Sequence, residues 1–280
     1  MRIFDTHNHL WEYNEKYFSW ISAEMDVIKR DFSIAELHKL STENNVQYNV
    51  LVQAIPEIWE TEKLLEIANQ SNRVAGVTGW VDVAKGEAIV PDLMRLIEVS
   101  NKLCGIRYMS QGLAPEHMLE DKFIEGVRSV GRLGLMYELL VSDSQLEQVA
   151  RLIDVCSDVF FIINHIAKPD IQQGKIKTWQ VSMEKIADFK NVYCKLSGMV
   201  TEANLSTWHP SDIYPYIDVI MKCFGDARVM YGSDYPVCLL AATYKQVLDL
   251  VVTWFDNNPQ FSLENILFNN AQSIYLNRQY

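Results

Sequence analysis

A chain of 280 residues with 49% apolar residues can bury a large core, and its net charge of −11 argues against nonspecific nucleic-acid binding, which needs a basic footprint. No run of eighteen apolar residues occurs, and Met1 enters a motif without a charged and then apolar leader, so a cytoplasmic protein with no membrane partner is expected. Cys104, Cys156, Cys194, Cys223 and Cys238 are scattered without a Cys-x-x-Cys spacing and read as reduced, packed thiols.

In chain order, short apolar runs alternate with stretches whose apolar residues recur at helical spacing. Strands are predicted over residues 2–5, 48–53, 74–83, 103–108, 134–141, 160–165, 192–197 and 228–232. Helical patterns follow them in turn, around Leu37, Leu65, Leu93, Val127, Val149, Ile186, Ile217 and Leu250. Eight strands each followed by a helix predict an α/β protein, a closed (β/α)8 TIM barrel in one domain over 1–280, with its site at the C-terminal strand ends. An open doubly wound sheet is the rival; it often shows a glycine-rich turn after the first strand, where this chain has histidines. Segments 11–31 and 199–210 are long, follow strands and so belong to the catalytic face.

Polar residues stand at nearly every predicted strand end. His7 and His9 share one face of an extended chain with Cα atoms about 6.6 Å apart, a working distance for converging on one metal ion or one substrate oxygen. Further along come Gln53, Trp80 with Asp82, Arg107, Tyr137 with Glu138, Asn164-His165 with Lys168 nearby, Lys195 with Ser197, and Gly232-Ser233-Asp234-Tyr235-Pro236. Asp234 is placed to act as a general base toward water or to bridge to a metal, or else to cap the following turn. His165 closes an apolar strand, where a buried structural histidine is the alternative. Arg107 and Lys195 are cations that must meet either a carboxylate such as Glu138 or an oxygen-rich ligand. For Glu138, pairing with one of these cations is favoured over a direct catalytic task. Trp11 and its neighbours Tyr13, Tyr17, Phe18 and Trp20 either cover the site and stack on a sugar ring or fill the loop's own interior. Ser197 lacks a nucleophile elbow, which argues against a serine hydrolase.

Taken together, residues 5–11, 76–82, 105–107, 164–169, 195–203, 231–237 and 270–271 resemble the amidohydrolase superfamily (amidohydrolase-2 type), specifically its metal-optional sugar lactonase branch of L-fuconolactonases and L-rhamnonolactonases. The resemblance implies a barrel enzyme, a carboxylic ester hydrolase opening a sugar lactone, such as L-fucono- or L-rhamnono-lactone, to its aldonic acid. Asp234 would take a proton from water, and His7, His9 and His165 would polarise the carbonyl, directly or through one divalent ion, zinc by preference. His7, His9, His165 and Asp234 are then the metal ligands. Arg107, Lys195 and Trp80 would hold the sugar, with Glu138 and Trp11 beside them. Binuclear members carry a bridging lysine or glutamate on strand four and a histidine on strand five; Arg107 and Glu138 stand here, which points to one ion or none. Tyr108 replaces a common histidine and Tyr137-Glu138 a common Phe-Asp, changes that bear on the substrate. A metal-dependent decarboxylase of the same superfamily, acting on an unsaturated carboxylic acid, is the alternative, and a barrel that only binds a sugar acid is a further one. Monomer and homodimer are both compatible with the sequence.

Overall fold

Parallel strands demand long crossovers, and the sequence supplies an amphipathic helix for each. The computed structural model describes residues 1–278 and contains every predicted strand: β1 Ile3–Asn8, β2 Val46–Val52, β3 Val74–Gly79, β4 Leu103–Met109, β5 Met136–Leu140, β6 Phe161–Ile163, β7 Val192–Leu196 and β8 Val229–Tyr231. The helices are α1 Ile34–Glu43, α2 Ile58–Asn69, α3 Val90–Val99, α4 Asp121–Arg132, α5 Leu146–Val155, α6 Lys177–Ala187, the short α7 Met199–Glu202, α8 Pro210–Phe224 and α9 Tyr244–Asp256. Ser33 with Glu36 and Thr243 with Gln246 form capping boxes that start α1 and α9 by satisfying free backbone N–H groups.

The eight strands pair in sequence order, all parallel, as a (β/α)8 barrel. The ring closes just past β8, where the Asp234 N–H donates to the His7 carbonyl at 2.9 Å and the His9 N–H to the Tyr235 carbonyl at 2.6 Å. Residues 1–278 thus make one barrel; the last two residues of the expected 1–280 domain lie outside the described ones. Among the described residues no helix is long and apolar enough to cross a membrane. All five cysteines are free thiols, four of them buried.

At the site's end of the barrel three strand boundaries differ from expectation by at least two residues. β1 extends to Asn8 because β2 and the segment after β8 satisfy its backbone. β3 stops at Gly79 instead of running to residue 83: Thr61 of α2 accepts the Trp80 N–H at 2.8 Å, and a Cβ at Gly79 would lie 2.2 Å from Thr61 Cγ2. β6 stops at Ile163, after which His165, Ile166, Ala167 and Lys168 all take positive φ.

The barrel interior has a floor and a polar storey. Phe4, Cys104, Met136, Ile162 and Met230 form the floor, against which Phe268, Ala271, Ile274 and Tyr275 of the C-terminal π-helical turns are buried. β5 then presents Glu138 and Leu140 on the same face as Met136, since alternate residues share a face. Register pairs Arg107 with Glu138, one strand apart.

Candidate active site

Asp234 sits where the chain leaves β8 with φ of 60°, a strained conformation that Asp tolerates better than most residues. Its Oδ1 lies 3.4 Å from His9 Nε2, 3.8 Å from His7 Nε2 and 3.9 Å from His165 Nε2. The structure therefore brings together the four expected residues, all buried. His7 and His165 ring centroids are 4.4 Å apart, and those of His7 and His9 5.0 Å.

Each imidazole is oriented from behind. His9 Nδ1 is 2.8 Å from the Val52 carbonyl, which can only accept, so Nδ1 carries the hydrogen and a neutral His9 turns a lone pair on Nε2 toward Asp234. His165 Nδ1 meets Ser197 Oγ at 2.9 Å, giving Ser197 an orienting contact instead of a nucleophile's. Gly198 next to it has φ of 61°, and a Cβ there would fall 2.5 Å from His165 Nδ1. Arg107 Nη1 donates to His7 Nε2 at 3.3 Å and to Asn164 Oδ1 at 3.3 Å, while Nη2 donates to the Gln53 carbonyl. His7 Nδ1 is buried without a hydrogen-bond partner among the described residues.

Burial, with the nearby cationic groups, keeps His7 well below its ordinary range; burial also lowers His9 despite its contact with Asp234, and takes His165 down to about 3. For Asp234, burial pushes upward but the surrounding histidines and Lys168 outweigh it and hold the carboxyl below its usual value. Arg107 is lowered by burial to about 10 and stays charged near neutrality.

This donor set fits one divalent ion. The Nε2 lone pair of a neutral His9 faces an anionic oxygen, two acceptors that a proton or a cation must separate, and His7 Nε2, which accepts from Arg107, stands 3.8 Å from the same oxygen. His7, His9 and Asp234 offer ligand atoms all within 4.8 Å of one another; His165 reaches Asp234 Oδ1 but stands outside that mutual set. The Arg107 charge beside His7 opposes a second ion.

A cavity of about 460 Å³ opens above these groups. His9, Arg107, His165 and Asp234 line its polar side, Lys168, Thr201 and Glu202 another part of the wall, and Trp20, Met25, Met109, Leu140, Leu205 and Leu240 the apolar remainder. Four expected ligand contacts do not line it. Lys195 and Glu138 are fully buried and bond each other at 2.7 Å, so Glu138 takes the pairing alternative and Lys195 meets a carboxylate. Trp80 stacks on Tyr108, with ring centroids 6.4 Å apart, outside the cavity wall. Trp11 is packed among Phe18, Trp20 and Phe32 and donates to the Arg30 carbonyl, so it fills the loop's interior. Gln111, Met25 and Leu205 of the wall carry no motif that sequence reading could isolate; Glu60, whose carboxylate holds the Ala54 and Ile55 N–H groups, was likewise hidden in a helical pattern.

The amidohydrolase family model matches residues 4–275, and the chain belongs to that family. It is 33% identical over 243 residues to an L-fucono-1,5-lactonase of Burkholderia ambifaria, covering 86% of this chain and 82% of that one. A second L-fucono-1,5-lactonase, from Burkholderia multivorans, is 32% identical over 90% of this chain and 88% of its own length. The crystal structure of an amidohydrolase from Burkholderia multivorans with bound zinc superposes with a TM-score of 0.91 at 30% identity, covering 99% of both chains. The chain is accordingly a hydrolase.

Proposed function

We propose that the chain opens a sugar-acid lactone to the free aldonic acid. The observation that carries this reading is the Asp234 carboxylate, held below its usual pKa among three largely neutral imidazoles and lining the cavity with two of them, His9 and His165, with the lactonase relatives in support. Ester hydrolysis needs a base for water and a positive or hydrogen-bonding site for the developing oxyanion. Asp234 Oδ1 accepts the proton of the attacking water, and that proton returns to the ring oxygen as the carbonyl–oxygen bond breaks. Arg107, charged and with its guanidinium fixed by Gln53 and Asn164, supplies positive potential beside the imidazoles. His7, His9 and Asp234, with His165 beside them, would hold a zinc or similar divalent ion, which when bound polarises the carbonyl as a Lewis acid. The zinc-bound relative favours that ion, and the Arg107 contact to His7 supports a site that also works without it.

Five- and six-membered aldonolactones, screened by acid release with a pH indicator before and after chelation, test this. Acid release without carbon dioxide is expected. Carbon dioxide release from an unsaturated carboxylic acid, with every lactone inert, would establish the decarboxylase alternative instead. Full activity after chelation would exclude an essential ion.

A further inference from the structure

Lys168 and Glu202 form an ion pair of 2.7 Å within the cavity wall, and neither belongs to the imidazole–carboxylate cluster. Their side chains are 20% and 22% exposed, whereas Arg2–Glu264 and Lys245–Asp249 on the outer surface have both partners near or above half exposure. The pair joins two strand-end loops. Lys168 ends the left-handed run after β6, with φ of 54° at His165, 48° at Ile166, 61° at Ala167 and 48° at Lys168. Glu202 ends α7, and its carbonyl accepts the Gln172 N–H at 3.0 Å.

Four consecutive left-handed residues without a glycine are strained, and a run that merely turned the chain would use Gly or Asn. The run is pinned: Trp179 Nε1 donates to the Ile166 carbonyl at 2.8 Å, and the Lys168 N–H to the His165 carbonyl at 2.8 Å. Strain of this kind persists where the surroundings over-determine it and clusters at ligand clamps. Here it delivers His165 to Asp234 and, three residues on, an ammonium to the same cavity.

We propose that Lys168 and Glu202 are specificity-determining residues that bind a vicinal diol of the lactone ring. The inference rests on the lactonase reading and deepens it to lactones bearing neighbouring hydroxyls. An ammonium donates and a carboxylate accepts, and they stand one hydrogen-bond length apart, which is also about the spacing of two gauche hydroxyl oxygens. One hydroxyl accepts from Lys168 Nζ while its neighbour donates to Glu202. A partly exposed pair contributes little to stability, so a role in holding the loops would leave its placement inside the cavity unexplained.

The test compares a hydroxylated aldono-1,5-lactone with unsubstituted δ-valerolactone, using wild type, Lys168→Met, Glu202→Gln and Lys168→Arg. For the first two variants the ratio of kcat/KM between the two lactones is expected to fall about 10- to 100-fold, the range of a charge-assisted hydrogen bond, mainly through KM. Lys168→Arg, which keeps charge and donors, retains most of the selectivity. Should Lys168→Met fail to fold, Glu202→Gln reads the same ratio. Equal losses on both lactones would show that the pair only holds the loops and would overturn the proposal while leaving the lactonase reading intact. A wild type inert toward both lactones would overturn both.

Discussion

A single carboxyl, Asp234, distinguishes this site from a set of packed histidines. Its Oδ1 is the one atom that all three imidazole Nε2 atoms approach. Replacing it by Asn keeps the volume and removes the proposed base, so Asp234→Asn is expected to lower kcat about 10²- to 10⁴-fold on any hydrolysed lactone, with the urea midpoint nearly unmoved; equal rates for both proteins would remove Asp234 from the base role. His7, His9, His165 and Asp234 were legible because a barrel places strand-end polar residues on one rim. Lys195 and Glu138 looked equivalent on the same rule. Which of two inward residues reaches the cavity and which stops a storey lower depends on shear and tilt of the strands, which no local pattern records.

At the level of elements, the alternation of strand and helix was legible throughout, and the misplaced boundaries lie where neighbouring elements act on the chain. Thr61 of α2 ends β3, and tertiary partners carry β1 three residues beyond its apolar run. Glu60, beside Thr61, is the clearest consequence of such packing. Its carboxylate accepts the Ala54 N–H at 3.0 and 3.1 Å and the Ile55 N–H at 3.0 Å, fixing the loop whose Gln53 carbonyl receives Arg107. Burial pushes Glu60 up to about 8 from 4.5. A carboxyl raised on folding binds a proton that the unfolded chain releases, so its contribution to stability is greatest below about pH 4.5 and is lost as pH rises to about 8. Urea midpoints of wild type and Glu60→Gln between roughly pH 4 and pH 9, bracketing that window, should show the wild type losing ground to the variant as pH rises. Parallel profiles would mean that Glu60 is ionised throughout.

On the scale of the whole molecule, a buried polar storey separates the apolar floor from the cavity. Glu138 receives Lys195, Asn164 and Thr78, each at 2.7 Å, and Tyr275 at 3.2 Å, and Asn164 in turn receives Arg107. Residues from β3, β5, β7, the β6 end and the C-terminal segment thus meet around one carboxylate. Burial alone would raise Glu138, but Lys195 and the hydrogen bonds outweigh it and hold the group ionised. Lys195→Met leaves that charge unpaired and is expected to cost about 3–5 kcal/mol, and adding Glu138→Gln should recover part of the loss, as a double-mutant cycle in urea would measure. Tyr275 was invisible to sequence reading because its partner lies 137 positions away. The seam of the ring has a different consequence. The backbone bonds that join the first strand to the segment after the last are made by His7, His9, Asp234 and Tyr235, so three of the four residues of the candidate site also latch the barrel. During synthesis the ribosome releases the two halves of this latch more than two hundred residues apart, and no partial chain lacking the second half assembles the cluster. The proposed hydrolysis is therefore open only to a chain that has already closed its ring.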